Sequence, residues 1–296
     1  MEITVKNLSK NFGDVKALDN VGFQICEGKA LGLLGRNGAG KTTTIRILLD
    51  IIDGDSGEIL VDGKKMDRNK ISFGYLPEER GLYLKYTVKD QLLYFASLYG
   101  MKKKDGLNSI NYWLNRFDAI QYLNKKVDTL SKGNKQKIQL IVAIMHNPQI
   151  VILDEPFSGL DPVNVEIFKE IIRELLSKNK ILIFSSHRMS DVEEFCDDII
   201  MLKQGQTILQ GNLEKIKEEY GVKGLVIKGE EAIKEILLNE SINNFEFNGK
   251  EFNIPISDIE KGENILKNII LKGLRVYEFY FLKPSLNDIF LERLGE

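Results

Sequence analysis

Near the amino terminus apolar residues fall on alternate positions, Ile3 and Val5 and then Phe23 and Ile25, the two-residue period of half-buried strands. Ala30 to Leu34 is instead a continuous apolar run ending at Gly35, the pattern of a strand covered on both faces. Similar runs recur at Ile150 to Leu153, Ile181 to Phe184 and Ile199 to Leu202. Thr42 to Asp50, Val163 to Ser177 and Asp191 to Cys196 separate them with apolar residues at helical spacing. The alternation predicts an α/β fold, a largely parallel sheet covered by helices, with the half-buried strands forming an antiparallel edge sheet.

Between about residues 82 and 147 the period becomes helical throughout, over Val88 to Tyr99, Ile110 to Phe117 and Lys135 to Met145, which predicts a helical subdomain inserted into the α/β unit. Gln206 to Gly211 reads as the returning half of a hairpin and Leu213 to Tyr220 as a charged helix, so a domain boundary is expected near Gly221. Residues 1–220 then form the main domain. Residues 221–296 form a small α+β module with strand, helix, a two-strand hairpin around Asn248-Gly249, helix, strand and a last helix after Pro284, an order compatible with a ferredoxin-like fold.

The chain has 41 Lys and Arg against 43 Asp and Glu, a near balance that disfavours a chain-wide polyanion surface, and no nucleic-acid partner is expected. Its apolar runs stop well short of the roughly 18 to 20 residues that cross a bilayer. The first residues lack the basic start and apolar stretch of a signal peptide, so a cytoplasmic protein is expected. Cys26 and Cys196 are distant and have no Cys or His at metal spacing, which predicts plain thiols.

Candidate chemistry begins where the buried run ends. Gly35-Arg36-Asn37-Gly38-Ala39-Gly40-Lys41-Thr42 fits G-x-x-x-x-G-K-[ST] between a strand and a helix. Glycines let backbone N–H groups wrap phosphates, the helix adds its positive end, Lys41 reaches the β and γ phosphates and the Thr42 hydroxyl ligates Mg²⁺. The substrate class is a nucleoside triphosphate. Ile150 to Leu153 delivers Asp154 and Glu155 to the carboxyl end of a buried strand, where open α/β sheets bind ligands. Asp154 suits Mg²⁺ and Glu155 suits polarising an attacking water. Ser131, before a predicted helix, can cap it while the helix start faces an anion.

Taken together, Gly35 to Thr42, Leu130 to Gln136, Asp154-Glu155, Ser158-Gly159-Leu160-Asp161 and His187 follow one another as in the nucleotide-binding subunit of an ABC transporter, which the chain resembles from about Glu2 to Tyr220. Tyr75 to Tyr83 and Pro284 to Phe290 are similar to the ABC-2 exporter branch with its sodium- and drug-efflux ATPases.

The resemblance implies a P-loop ABC cassette that binds ATP and Mg²⁺ through Phe12, stacked on adenine, Gly35 to Thr43, the signature residues Ser131, Gly133 and Asn134, and Asp161. Thr42, Glu78 and Asp154 would be the metal ligands, with Glu155 and His187 catalytic. It further implies a head-to-tail dimer with a second copy or a related cassette, and integral membrane permease subunits that hold the chain at the cytoplasmic face of the membrane. The expected function is to power export of an ion, drug or peptide.

Departures from the family pattern are Lys132 and Asn134 in the usual L-S-G-G-Q and Glu78 where the family has glutamine. A carboxylate at position 78 can ligate Mg²⁺ but cannot donate a hydrogen bond to water. The rival reading is a soluble ABC ATPase of translation or DNA repair. Tandem cassettes, long heptad insertions and zinc-spaced cysteines would mark such proteins, and this sequence has none of them.

Overall fold

The computed structural model describes residues 1–78, 81–186 and 188–295, and they divide into two compact units, residues 1–212 and 213–296. The first unit contains β1 (Glu2–Phe12), β2 (Val15–Cys26), β3 (Ala30–Leu34), α1 (Lys41–Leu48), β4 (Ser56–Val61), β5 (Lys64–Lys65) and β6 (Phe73–Leu76). It continues with α2 (Val88–Leu98), α3 (Lys103–Arg116), α4 (Lys132–Ile144), β7 (Ile150–Asp154), α5 (Pro162–Ser177), β8 (Ile181–Ser185), α6 (Met189–Phe195), β9 (Asp198–Lys203) and β10 (Gln206–Asn212).

Among the described residues the central sheet runs β10-β9-β3-β8-β7-β6, parallel throughout except for β10, which returns antiparallel beside β9. Every residue of β3, β7 and β8 is buried, as continuous apolar runs require when helices cover both faces. The alternating strands β1 and β2 pair with each other, and the second sheet runs β2-β1-β4-β5, all antiparallel. Ile3, Val5, Phe23 and Ile25 turn one face of that sheet onto Leu31, Leu33, Ile152 and Ile183 in a common core.

The strands β4 and β5 carry no apolar alternation: Ser56 to Glu58 are exposed and Lys64-Lys65 is a two-residue edge. Pairing with β1 makes β4 a strand, a tertiary effect that overrides its local pattern.

Helices α2, α3 and α4 lie between β6 and β7. Helix α4 lies directly on β6 because Gly74 has no side chain; a Cβ there would stand 2.1 Å from the carbonyl oxygen of Ala143.

The second unit contains α7 (Leu213–Glu219), β11 (Gly224–Gly229), α8 (Ile233–Asn239), β12 (Glu246–Phe247), β13 (Glu251–Ile254), α9 (Ile259–Leu271), β14 (Val276–Leu282) and α10 (Leu286–Leu294). The antiparallel sheet order is β12-β13-β11-β14, and β11 to β14 follow the β-α-β-β-α-β order of the ferredoxin-like motif. Leu225, Ile227, Phe252, Ile254, Ile265 and Ile269 fill its core.

The division falls at Leu213 rather than near Gly221, because α7 belongs to this unit: Lys283 pairs with Glu214 and Glu218, and Arg293 Nε donates to the hydroxyl of Tyr220 just after the helix. Helix α10 starts in a reciprocal cap, with Ser285 Oγ accepting from the Asp288 N–H and Asp288 Oδ2 accepting from the Ser285 N–H. Lys223 also pairs with Asp288, and chiefly through that bond the Asp288 carboxyl is lowered to about 2. Ser285→Ala is expected to cost about 1 kcal/mol, read as a lower urea midpoint by circular dichroism of the full chain; an unmoved midpoint would show that the cap does not hold α10.

Candidate functional site

Because β3, β6, β7 and β8 run parallel, their carboxyl ends open on one edge of the sheet, and the register sets Asp154 opposite Ser185 and Leu76 opposite Leu153. The loop after β3, the end of β7 and the residue after Pro77 converge there on a cavity of about 270 Å³. Arg36, Asn37, Gly38, Ala39, Gly40, Lys41, Thr42, Thr43, Glu78, Asp154 and Glu155 line it, together with Ala17 from β2.

The loop conformation depends on Gly40, the residue before α1, with φ +109 and a would-be Cβ 2.8 Å from the carbonyl oxygen of Ala17. Helix α1 has no acidic residue of its own in its first turn, so its N-terminal N–H groups face the cavity without a carboxylate from the same turn. The ammonium of Lys41 donates to the carbonyls of Gly35 at 2.6 Å and Arg36 at 3.3 Å. Burial lowers its pKa, and the carboxylates of Glu155, Asp154 and Glu78 oppose that fall.

Burial raises the Asp154 carboxyl; a 2.7 Å hydrogen bond from Ser185 Oγ lowers it and the charge of Glu78 raises it further. Glu155 is buried in the left-handed region at φ +50, its N–H donating to the Ser185 carbonyl at 2.9 Å and its carbonyl accepting from Ser158 N at 3.1 Å. Ser185, which orders both acidic residues, was not singled out from the sequence; its place at the end of the next buried run was the available signal.

Not all the expected residues meet in this cavity. Phe12, at the end of β1, is 51% exposed rather than part of the core, with Lys10 Nζ 5.6 Å from its ring centre, and it lies outside the lining. Ser131 caps α4, its Oγ accepting from Asn134 N at 3.3 Å. Asp161 caps α5, accepting from Asn164 N at 2.9 Å, a bond that chiefly lowers its carboxyl. Gly133 packs on Asn164, and the Lys132 side chain lies over Gly159, so Ser131, Gly133, Asn134 and Asp161 gather at the starts of two helices and contribute nothing to the cavity lining. His187 lies outside the described residues.

An ABC transporter family profile matches residues 18–158, and one for the ATP-binding protein DrrA1-3-like C-terminal domain matches residues 211–294. The chain is 43% identical to the ABC transporter ATP-binding protein YhaQ of Bacillus subtilis over 99% of its length and 98% of that protein. The chain belongs to the ABC transporter ATP-binding proteins. It is 31% identical to the Nod factor export ATP-binding protein I of a Rhizobium species over 99% of this chain and 97% of that one. A solved ATP-binding subunit of an ABC transporter superposes with a TM-score of 0.69 at 29% identity, covering 74% of this chain and 93% of that one.

As an ABC ATPase the protein binds and hydrolyses ATP, and as a transporter subunit it works with a separate permease. No helix among the described residues is long and apolar enough to cross a membrane.

For Mg²⁺ the donor set fits: Thr42 offers a hydroxyl and Glu78 and Asp154 offer carboxylates to one cavity, hard oxygens whose mutual repulsion a divalent cation relieves.

The raised pKa of Asp154 sets a sign. The fold favours the protonated form, so the ionised carboxylate costs stability, and that cost grows as pH rises from the unfolded value near about 4 through the folded one. Asp154→Asn is therefore expected to raise the melting temperature of the nucleotide-free protein by a few degrees at neutral pH, the gain disappearing toward pH 4. A lower melting temperature at neutral pH would contradict this electrostatic account.

Proposed function

We propose that the chain is the ATPase subunit of an exporter and that each of its active sites is completed by a second cassette, another copy of this chain or a related one. The observation that carries this reading is the division of the site: Gly35 to Thr43, Glu78, Asp154 and Glu155 surround one cavity, while Ser131, Gly133, Asn134 and Asp161 gather elsewhere. Head-to-tail pairing would bring one chain's helix start at Ser131 to the γ phosphate held by the other's loop, a peptide dipole meeting a dianionic group.

In the paired state the loop N–H groups and Lys41 hold the β and γ phosphates, and Phe12 offers an exposed ring for stacking on adenine. Thr42, Asp154 and Glu78 would hold magnesium, which when bound neutralises charge on the phosphate oxygens. Glu155 orients a water and accepts its proton as the oxygen attacks the γ phosphorus; the bond to the β-phosphate oxygen breaks, giving ADP, inorganic phosphate and a proton. His187 is proposed to contact the γ phosphate.

Separation after hydrolysis would move the permease. A groove of about 360 Å³ lined by Tyr83, Tyr86, Asp90, Gln91 and Tyr94 offers an apolar, aromatic seat for a permease helix. It is ordered by Gln91, which bonds both the N–H and the carbonyl of Tyr83, at 2.8 and 3.0 Å. Through that permease the chain would sit at the cytoplasmic face of the membrane. Export as the direction is supported by similarity over the whole chain, including the second unit, to a Nod factor export ATP-binding protein.

Glu155→Gln is expected to keep ATP binding, to lower phosphate release by about 10²-fold or more, and to accumulate an ATP-bound dimer in size-exclusion chromatography. Unchanged turnover would remove Glu155 from catalysis, and an ATP-bound monomer would count against the shared site.

A further inference from the structure

The amide of Gln136 is held where neither the phosphate loop nor the signature requires it. It lies on α4, five positions after the capping Ser131, and its Nε2 donates to the carbonyl of Pro156 at 2.5 Å. Pro156 follows Glu155, whose left-handed φ of +50 is uncommon for a residue with a long side chain and persists only where neighbours impose it. The Glu155 N–H and carbonyl are engaged by Ser185 and Ser158, so the Pro156 carbonyl is the next backbone group along, and α4 holds it.

The same helix touches the following segment twice more, at Gly159 through Lys132 and, in the first turn of α5, at Asn164 through Gly133. Proline has no N–H, so the peptide that joins Glu155 to Pro156 cannot donate a bond of its own to fix the turn. The donor comes from Gln136.

We propose that Gln136 is a positioning residue for hydrolysis: its bond to Pro156 holds the Glu155 backbone so that the carboxylate faces its own cavity. Because Gln136 and Ser131 share one rigid helix, the bond also transmits to Glu155 whether Ser131 has engaged nucleotide in the other cassette. Each chain's carboxylate thereby responds to ATP in the opposite site, a reason for the two sites to fire together. The coupling part rests on the shared-site reading above, whereas the positioning part rests on contacts within one chain.

The test is steady-state ATPase of the purified full chain over a range of ATP, with separate equilibrium binding of ATP and thermal melting. Gln136→Met keeps the volume and removes the donor; Gln136→Lys restores a donor of similar reach. For Gln136→Met the expected result is a kcat about tenfold lower, ATP affinity within about twofold of the parent, an unchanged melting temperature and a Hill coefficient that falls toward one. Gln136→Lys is expected to recover most of both kcat and cooperativity.

Unchanged kcat in Gln136→Met overturns the proposal, as does a loss of kcat matched by loss of ATP affinity and melting temperature, or failure of both variants to fold, each of which would make the bond structural. A cooperative parent whose Hill coefficient survives in Gln136→Met overturns the coupling alone. A parent with a Hill coefficient of one and no ATP-dependent dimer overturns the shared-site reading and the coupling together, leaving the kcat comparison to decide the positioning role.

Discussion

The first unit is organised around one ammonium group held out of water. Lys41 is 8% exposed, its charge facing Glu155, Asp154 and Glu78 while its N–H groups are taken by the carbonyls of Gly35 and Arg36. A buried cation is tolerated only when it is paired and hydrogen-bonded, so the loop must curl back on it and two strand ends must deliver carboxylates beside it. The parallel sheet meets that demand because β3, β6 and β7 finish on the same edge. The resulting site carries more carboxylate than cation, which makes it receptive to a metal, while Lys41 and the N–H groups of the loop and helix start face phosphate.

The placement of Ser131 and Asp161 has a different logic. Each opens a helix, and each spends its side chain on the third residue of that helix, Asn134 and Asn164 respectively. Caps of this kind stabilise a helix start by about 1 kcal/mol while leaving other N–H groups free to meet an anion. Gly133 against Asn164 and Lys132 over Gly159 tie the two starts into one surface. The usual family glycine at position 132 would leave Gly159 uncovered, so Lys132 strengthens a contact within the chain where the signature departs from its usual form.

The buried strands β3, β7 and β8 and the phosphate loop were legible in the sequence because each leaves a local mark: continuous apolar runs, glycines at fixed offsets, a lysine and a threonine. Strands β4 and β5 left none, since their pairing with β1 and with each other is decided by tertiary contact rather than by their own exposed residues. The domain boundary moved to Leu213 because a charged helix reads alike whichever unit it packs on, and ion pairs from Lys283 assign it. In the site, Asp154 and Glu155 were legible from their place after a buried run, whereas Ser185, through its hydroxyl and its carbonyl, and Gln136, through its amide, bond segments distant in sequence. The Pro284 to Phe290 segment, first notable only as a resemblance, has a physical basis in the Ser285 and Asp288 cap.

The central claim is that an active site takes its phosphate loop from one chain and its signature from another. Mixing two disabled chains tests it most directly: Lys41→Ala lacks a working loop, and Ser131→Arg lacks a working signature. In a mixed dimer the intact loop of one chain faces the intact signature of the other, so ATP hydrolysis should rise well above either variant alone, toward a fraction of the parent rate. A mixture no more active than its components, although the two chains associate, would contradict the account.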